Sequence, residues 1–185
     1  MLDPLVNVIL GALWFILPAF FANASPVVVG GRGNRPIDGG RLWKDGKRIL
    51  GDGKTWRGFI GGVMVGTVIG ILQFFAEGQD YGVILRGFTL SFGTLLGDSI
   101  GSFIKRRKGI ESGDSALGMD QLGFMVVAIL LTAMFFPITI EPMDFTVFEI
   151  QIRYTIENFF GWIFLLFPVT FLVHICSNLL FRKHL

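Results

Sequence analysis

At 185 residues, 52% of them hydrophobic and 20 of them Phe, with a mean hydropathy of +0.64, the chain is too apolar for a soluble domain of its size. It reads as an integral membrane protein. The formal net charge of +2 conceals an uneven distribution, because Lys and Arg crowd into alternate loops, as a membrane topology signal does. Nothing implies a nucleic-acid or protein partner, and the lone Cys176 excludes a disulfide framework.

Five stretches have the roughly 20 residues needed to cross a hydrocarbon core: 4–22, 58–76, 82–104, 121–140 and 157–181. The expectation is an all-α integral membrane protein with five transmembrane helices in a single membrane domain, 1–185. The first stretch reads as a span and not as a cleavable signal, since Asp3 stands where a basic leader would be. The loop that follows, 23–57, carries Arg32, Arg35, Arg41, Lys44, Lys47, Arg48, Lys54 and Arg57. A second polar loop, 105–120, opens with Lys105-Arg106-Arg107-Lys108, and Arg182 and Lys183 follow the last span. The intervening loops hold Glu77, Asp80, Glu141, Asp144, Glu149 and Glu157 against Arg86 and Arg153 alone. By the positive-inside rule the N-terminus lies outside, the C-terminus inside, and loops 23–57 and 105–120 are cytoplasmic.

The second span carries Gly58, Gly62, Gly66 and Gly70 at four-residue spacing, a flat ridge that another helix can approach closely. The third repeats the device with Gly93, Gly97 and Gly101, and a second face of it holds Thr94, Asp98 and Ser102 with Lys105 one turn on.

Just before the second span, Gly53-Lys54-Thr55 looks like the end of a P-loop. The Walker pattern needs a glycine at position 48, where the chain has Arg48, and Phe59 to Ala76 carries no charge at all. What remains is Lys54, Thr55 and Arg57 at a helix N-terminus, whose dipole and unpaired N–H groups favour anions.

Asp98 lies about 10 Å inside the Lys105 boundary of the third span, at ~1.5 Å per residue. A carboxylate at that depth is costly, and it is either paired, here with Lys105 or Arg106, or functional as a metal ligand facing water. Beyond it, cations and carboxylates mix within 105–124: Lys105, Arg106 and Lys108, then Glu111, Asp114 and Asp120. That mixture suits a polyphosphate with Mg²⁺, carboxylates holding the ion and Lys and Arg neutralising the phosphates. His174 reads as a bundle histidine, Ser99, Ser112 and Ser115 have no histidine placed for a triad, and no CxxC or HExxH spacing occurs.

Gly97-Asp98-Ser99-Ile100-Gly101-Ser102-Phe103-Ile104-Lys105-Arg106, followed by Asp114 and Asp120, resembles the CTP-dependent membrane cytidylyltransferases, the phosphatidate cytidylyltransferases among them. In length, span number and the segment GDGKTWRG from Gly51 to Gly58, the chain is more similar still to their short archaeal branch, the CDP-archaeol synthases. The resemblance covers essentially the whole chain. It implies transfer of CMP from CTP to a phosphorylated isoprenoid ether lipid, an anionic phospholipid precursor, with release of pyrophosphate and a requirement for Mg²⁺. Site residues then follow. Asp98, Asp120 and Lys105 are expected at the reacting centre, with Asp98 and either Asp120 or Asp114 on the metal. Asp52, Lys54, Thr55, Arg57, Arg106 and Lys108 are expected to bind substrate. Asn34, Arg35 and Asp38, in a polar turn with donors and acceptors, either read the cytosine edge or are an ordinary surface turn. The chain departs from the bacterial-type pattern at Ala116 to Gly123, which lacks its histidine, its arginine and its second aspartate.

Two rivals are weaker. A CDP-alcohol phosphotransferase motif started at Asp52 would need carboxylates where Gly70 and Phe74 stand. A small lipid or ion transporter built around Asp98 gives no reason for the GDGKTWR segment.

Overall fold

The structure, a computed structural model, describes residues 4–29, 35–112, 116, 119–135, 143–147, 150–154 and 168. It contains α1 (Pro4–Val29), α2 (Trp56–Ala76), α3 (Tyr81–Arg107), α4 (Met119–Phe135), β1 (Met143–Val147) and β2 (Ile150–Tyr154). Among the described residues three segments, Ile9–Val29, Trp56–Ala76 and Tyr81–Arg107, are long and apolar enough to cross a membrane, and Gly123–Phe135 is a shorter apolar helix. Of the expected fifth span, 157–181, residue 168 alone is described, so the span itself lies outside what the structure describes.

The helices begin close to their expected starts and differ mainly at their ends. Helix α1 runs seven residues beyond 22 because Pro26 sits inside it without ending it, and α3 continues through Lys105 and Arg106 to Arg107, where its last-turn cations suit the dipole. Among the described residues the named elements are helices apart from one feature absent from the sequence reading, an antiparallel pair of strands joining Met143 with Tyr154 through to Val147 with Ile150. Its signal was present: Met-Asp-Phe-Thr-Val and Ile-Gln-Ile-Arg-Tyr alternate apolar and polar residues at the strand period.

Two compact units divide the chain: Met1–Ile16 with Pro137–Leu185, and Leu17–Phe136. The first contains the start of α1 and the strand pair. The second contains everything the site requires. Within it, Gly58, Gly62, Gly66 and Gly70 are buried, as the ridge predicts. A methyl group placed on Gly87 of α3 would lie 2.6 Å from the Gly70 Cα, so the two backbones cross in direct contact. The glycines of α3 serve a different neighbour, since a methyl on Gly93 would meet the Ala128 Cα of α4 at 2.6 Å and one on Gly97 the Phe124 Cα at 2.7 Å. Among the described residues Gly101 would meet nothing within 4 Å. The two ridges thus do not face each other: that of α2 meets α3 through Gly87 and Ser91, and that of α3 meets α4. Near the α2–α3 crossing, Arg86 Nη1 donates to Glu77 Oε2 at 3.1 Å, and Arg86 Nη2 reaches Gln73.

Candidate functional site

The basic loop between α1 and α2 is closed into a fixed structure by its own backbone. Ile37 N donates to Lys54 O at 2.8 Å and Trp56 N to Arg35 O at 3.2 Å, so the two ends of the loop are paired. A second narrow pairing, Trp43 N to Lys47 O at 2.7 Å, folds its tip. The tip docks on the end of α3, where the Trp43 and Phe103 rings meet edge to face at 5.4 Å and Arg107 Nη2 donates to the Lys47 and Arg48 carbonyls. Asp45 completes this anchor 3.1 Å from Arg107 Nε. Sequence reasoning assigned Arg107, Lys47 and Asp45 no partner. The two polar loops therefore occupy one end of the bundle.

Asp38 is the organiser of this loop. Its carboxylate accepts from Leu50 N (2.9 Å), Gly51 N (3.1 Å), Gly40 N (3.0 Å) and two nitrogens of Arg48 (2.9 and 3.3 Å). Five donors against about four lone-pair sites leave nothing for a base edge. Burial alone would raise its pKa, but the Arg48 guanidinium and the three backbone N–H groups outweigh it and hold Asp38 far below the ordinary carboxylate value. Arg48, paired also with Asp52 at 2.7 Å, is pushed up in turn. Because Asp38 is depressed when folded, its stabilising contribution is complete above about pH 4 and is lost as acid protonates it. Asp38→Asn is accordingly expected to lower stability at neutral pH by about 1.5–3 kcal/mol, and the loss relative to wild type should shrink below about pH 4. Thermal unfolding in detergent across that range checks both.

Lys54 and Asp98 form an ion pair across the mouth of a cleft, at side-chain exposures of 27% and 32%. The sequence offered Lys105 or Arg106 as structural partners for Asp98; the partner is Lys54, 44 residues away in the chain. The cleft is shallow and open to solvent and is lined by Ile37, Gly53, Lys54, Thr55, Asp98 and Ser99, with apolar walls from Pro26, Phe59 and Leu95. Thr55 is the N-cap of α2, its hydroxyl accepting from Gly58 N at 3.1 Å. With Trp56 N and Phe59 N also partnered, the start of α2 offers an anion its dipole and the Lys54 and Arg57 side chains more than a set of free N–H groups.

The other expected residues fall into distinct groups. Asp120 pairs with Lys105 at 2.8 Å, and its second oxygen accepts from Ala116 N at 2.8 Å, capping the approach to α4. The structure thus gives Asp98 and Asp120 separate lysine partners, and among the described residues no cluster of three or more His, Cys, Asp or Glu is arranged to hold a metal. Arg106 is buried, donates from Nη1 to Ile110 O at 2.6 Å and keeps Nε without a hydrogen-bond partner among the described residues. That nitrogen lies beside Gly51, which adopts φ +105° and packs against Ser112. Lys108 caps the end of α3, and Arg35, Asp52 and Arg57 are exposed. Asn34 and Asp114 lie outside the described residues.

The chain has recognisable relatives. A family model described as CDP-archaeol synthase, CarS-like, matches residues 5–183. A CDP-archaeol synthase of Thermococcus kodakarensis is 60% identical over 122 residues, covering 64% of this chain and 70% of the relative. One of Pyrococcus furiosus is 43% identical over 178 residues, covering 95% of this chain and 93% of the relative. A solved structure described as an intramembrane enzyme for archaeal membrane lipid biosynthesis superposes with a TM-score of 0.72 at 33% identity, over 92% of this chain and 94% of that one.

Proposed function

The chain belongs to the CDP-archaeol synthase family, and from that premise we propose how its cleft performs the family's reaction. The activity is CTP-dependent conversion of a phosphorylated isoprenoid ether lipid to a CDP-lipid with release of pyrophosphate, a step of membrane phospholipid synthesis. A transporter built around Asp98 would leave this kinship without a reason.

The observation that carries the site assignment is the Lys54–Asp98 pair at the cleft mouth, a cation and a carboxylate held together at the positive end of α2. Lys54, with Arg57 beside it and Thr55 holding the helix start, binds the triphosphate, and Asp52 keeps Arg48 in place at the loop's edge. Lys105, Arg106 and Lys108 receive the acceptor phosphate, a role supported by the buried Arg106 Nε, which has no hydrogen-bond partner among the described residues. A phosphate oxygen of the lipid attacks the α-phosphorus of CTP, the bond from that phosphorus to the bridging oxygen breaks, and pyrophosphate leaves. The protein contributes positioning and charge neutralisation. Asp98, a hard oxygen donor already paired with a cation in a water-accessible cleft, fits Mg²⁺, with Asp120 or Asp114 as the second carboxylate. When bound, the ion would neutralise charge on the phosphates. Asp38 we assign to holding the loop, which leaves Asn34 and Arg35 to meet the base.

We assign the site to the cytoplasmic face and the whole chain, 1–185, to one domain of five spans. The docking of the basic loop on the cationic end of α3 supports this orientation, since it gathers most of the Lys and Arg at one end.

The test is CTP titration by calorimetry in detergent with Mg²⁺. Lys54→Ala is expected to weaken CTP binding ten- to a hundredfold, roughly the worth of one charge-assisted hydrogen bond. Lys44→Ala, an exposed cation of the same loop, should cost little. Equal small losses would mean that the loop acts through net charge alone.

A further inference from the structure

The Lys54 ammonium sits on Asp98 Oδ2, an oxygen that a divalent cation would take as ligand. A cation already on that oxygen lowers its affinity for a second through charge repulsion and lost lone-pair density, so the lysine and a metal compete for the carboxylate. Lys54 is equipped to move. Its backbone is fixed, because Lys54 O accepts from Ile37 N and the next residue caps α2, but its four-carbon stem is flexible and both ends of the pair reach water. The dipole at the start of α2 draws phosphate to the same place. An arriving triphosphate therefore competes with Asp98 for the ammonium, and the more it wins, the more the carboxylate is free for a metal.

We propose that Lys54 is an exchangeable counter-ion of Asp98, which holds a divalent cation off the carboxylate until a nucleoside triphosphate draws the ammonium away. This rests on the reading that Asp98 holds the metal. Its consequence is that cation and nucleotide raise each other's affinity by a common factor, as linkage requires, and that the cleft binds little metal by itself.

Mn²⁺ alone, titrated into the full-length detergent-solubilised protein and followed by electron paramagnetic resonance, tests this without turnover. Lys54→Met is expected to bind Mn²⁺ roughly tenfold more tightly than wild type, with Lys54→Gln as a second variant that keeps a polar end. Lys44→Met, which removes an equal charge from an exposed position, should leave Mn²⁺ affinity unchanged. The gain should vanish in the double variant Lys54→Met with Asp98→Asn. If neither Lys54 variant gains affinity while Asp98→Asn still weakens Mn²⁺ binding, Asp98 holds the metal and the counter-ion role is wrong. A gain of equal size in Lys44→Met overturns it too, since long-range charge then suffices. Should Mn²⁺ binding be indifferent to Asp98→Asn in every background, the metal reading itself fails.

Discussion

Asp98→Asn is expected to leave the protein folded and to abolish nearly all CDP-lipid formation, a loss of roughly a hundredfold or more. The two halves of this expectation have separate causes. The fold should survive because the amide is isosteric and the Lys54 pair is partly exposed, a setting in which an ion pair contributes at most about 1 kcal/mol. Turnover should not survive, because the amide offers a metal or a phosphate-bound lysine no charge just where the triphosphate is to be neutralised. Pyrophosphate release and thermal unfolding, measured on one preparation across a range of Mg²⁺ concentrations, separate the two. Substantial activity at any Mg²⁺ concentration would make Asp98 a structural residue.

Much of this site was visible in the chain because its signals are local. Asp98 stood out through its depth within an apolar span and the Gly97–Arg106 motif around it, and Lys54-Thr55 through adjacency to an uncharged span. What could not be read was pairing. That Lys54 and Asp98 meet follows from how α2 crosses α3, and the crossing is set by Gly70 on Gly87, a glycine that fell outside both spaced ridges. The glycine pattern showed which faces are flat but not which faces meet, and Gly101 kept the spacing without a neighbour among the described residues. Asp38 illustrates the same limit in a loop. Its donors come from 2 to 13 residues along the chain, mostly backbone N–H groups, which no side-chain pattern records. A carboxylate in a polar turn therefore looked available for a base when it is fully engaged.

The crossing itself gives the largest stability effect. Gly87→Val should destabilise the protein by about 3 kcal/mol or more, beyond ordinary overpacking, because the contact is with backbone. A Cβ at this position would lie 2.6 Å from the Gly70 Cα and 3.2 Å from its nitrogen, and neither atom can rotate aside. The helices would have to separate. Separation also loosens the buried Arg86–Glu77 pair, which joins α3 to the end of α2 at side-chain exposures of 9% and 3% and would then be left in a poorly solvated position. Gly101→Ala is the control on the same helix: no described residue lies within 4 Å of its missing side chain, so the better helix propensity of alanine should make it neutral or slightly stabilising, by up to about 1 kcal/mol. Thermal unfolding in detergent compares them directly. If Gly87→Val melts with wild type, the close approach is not needed, and the placement of Lys54 opposite Asp98 must come from the loop anchors at Arg107 and Asp38 instead.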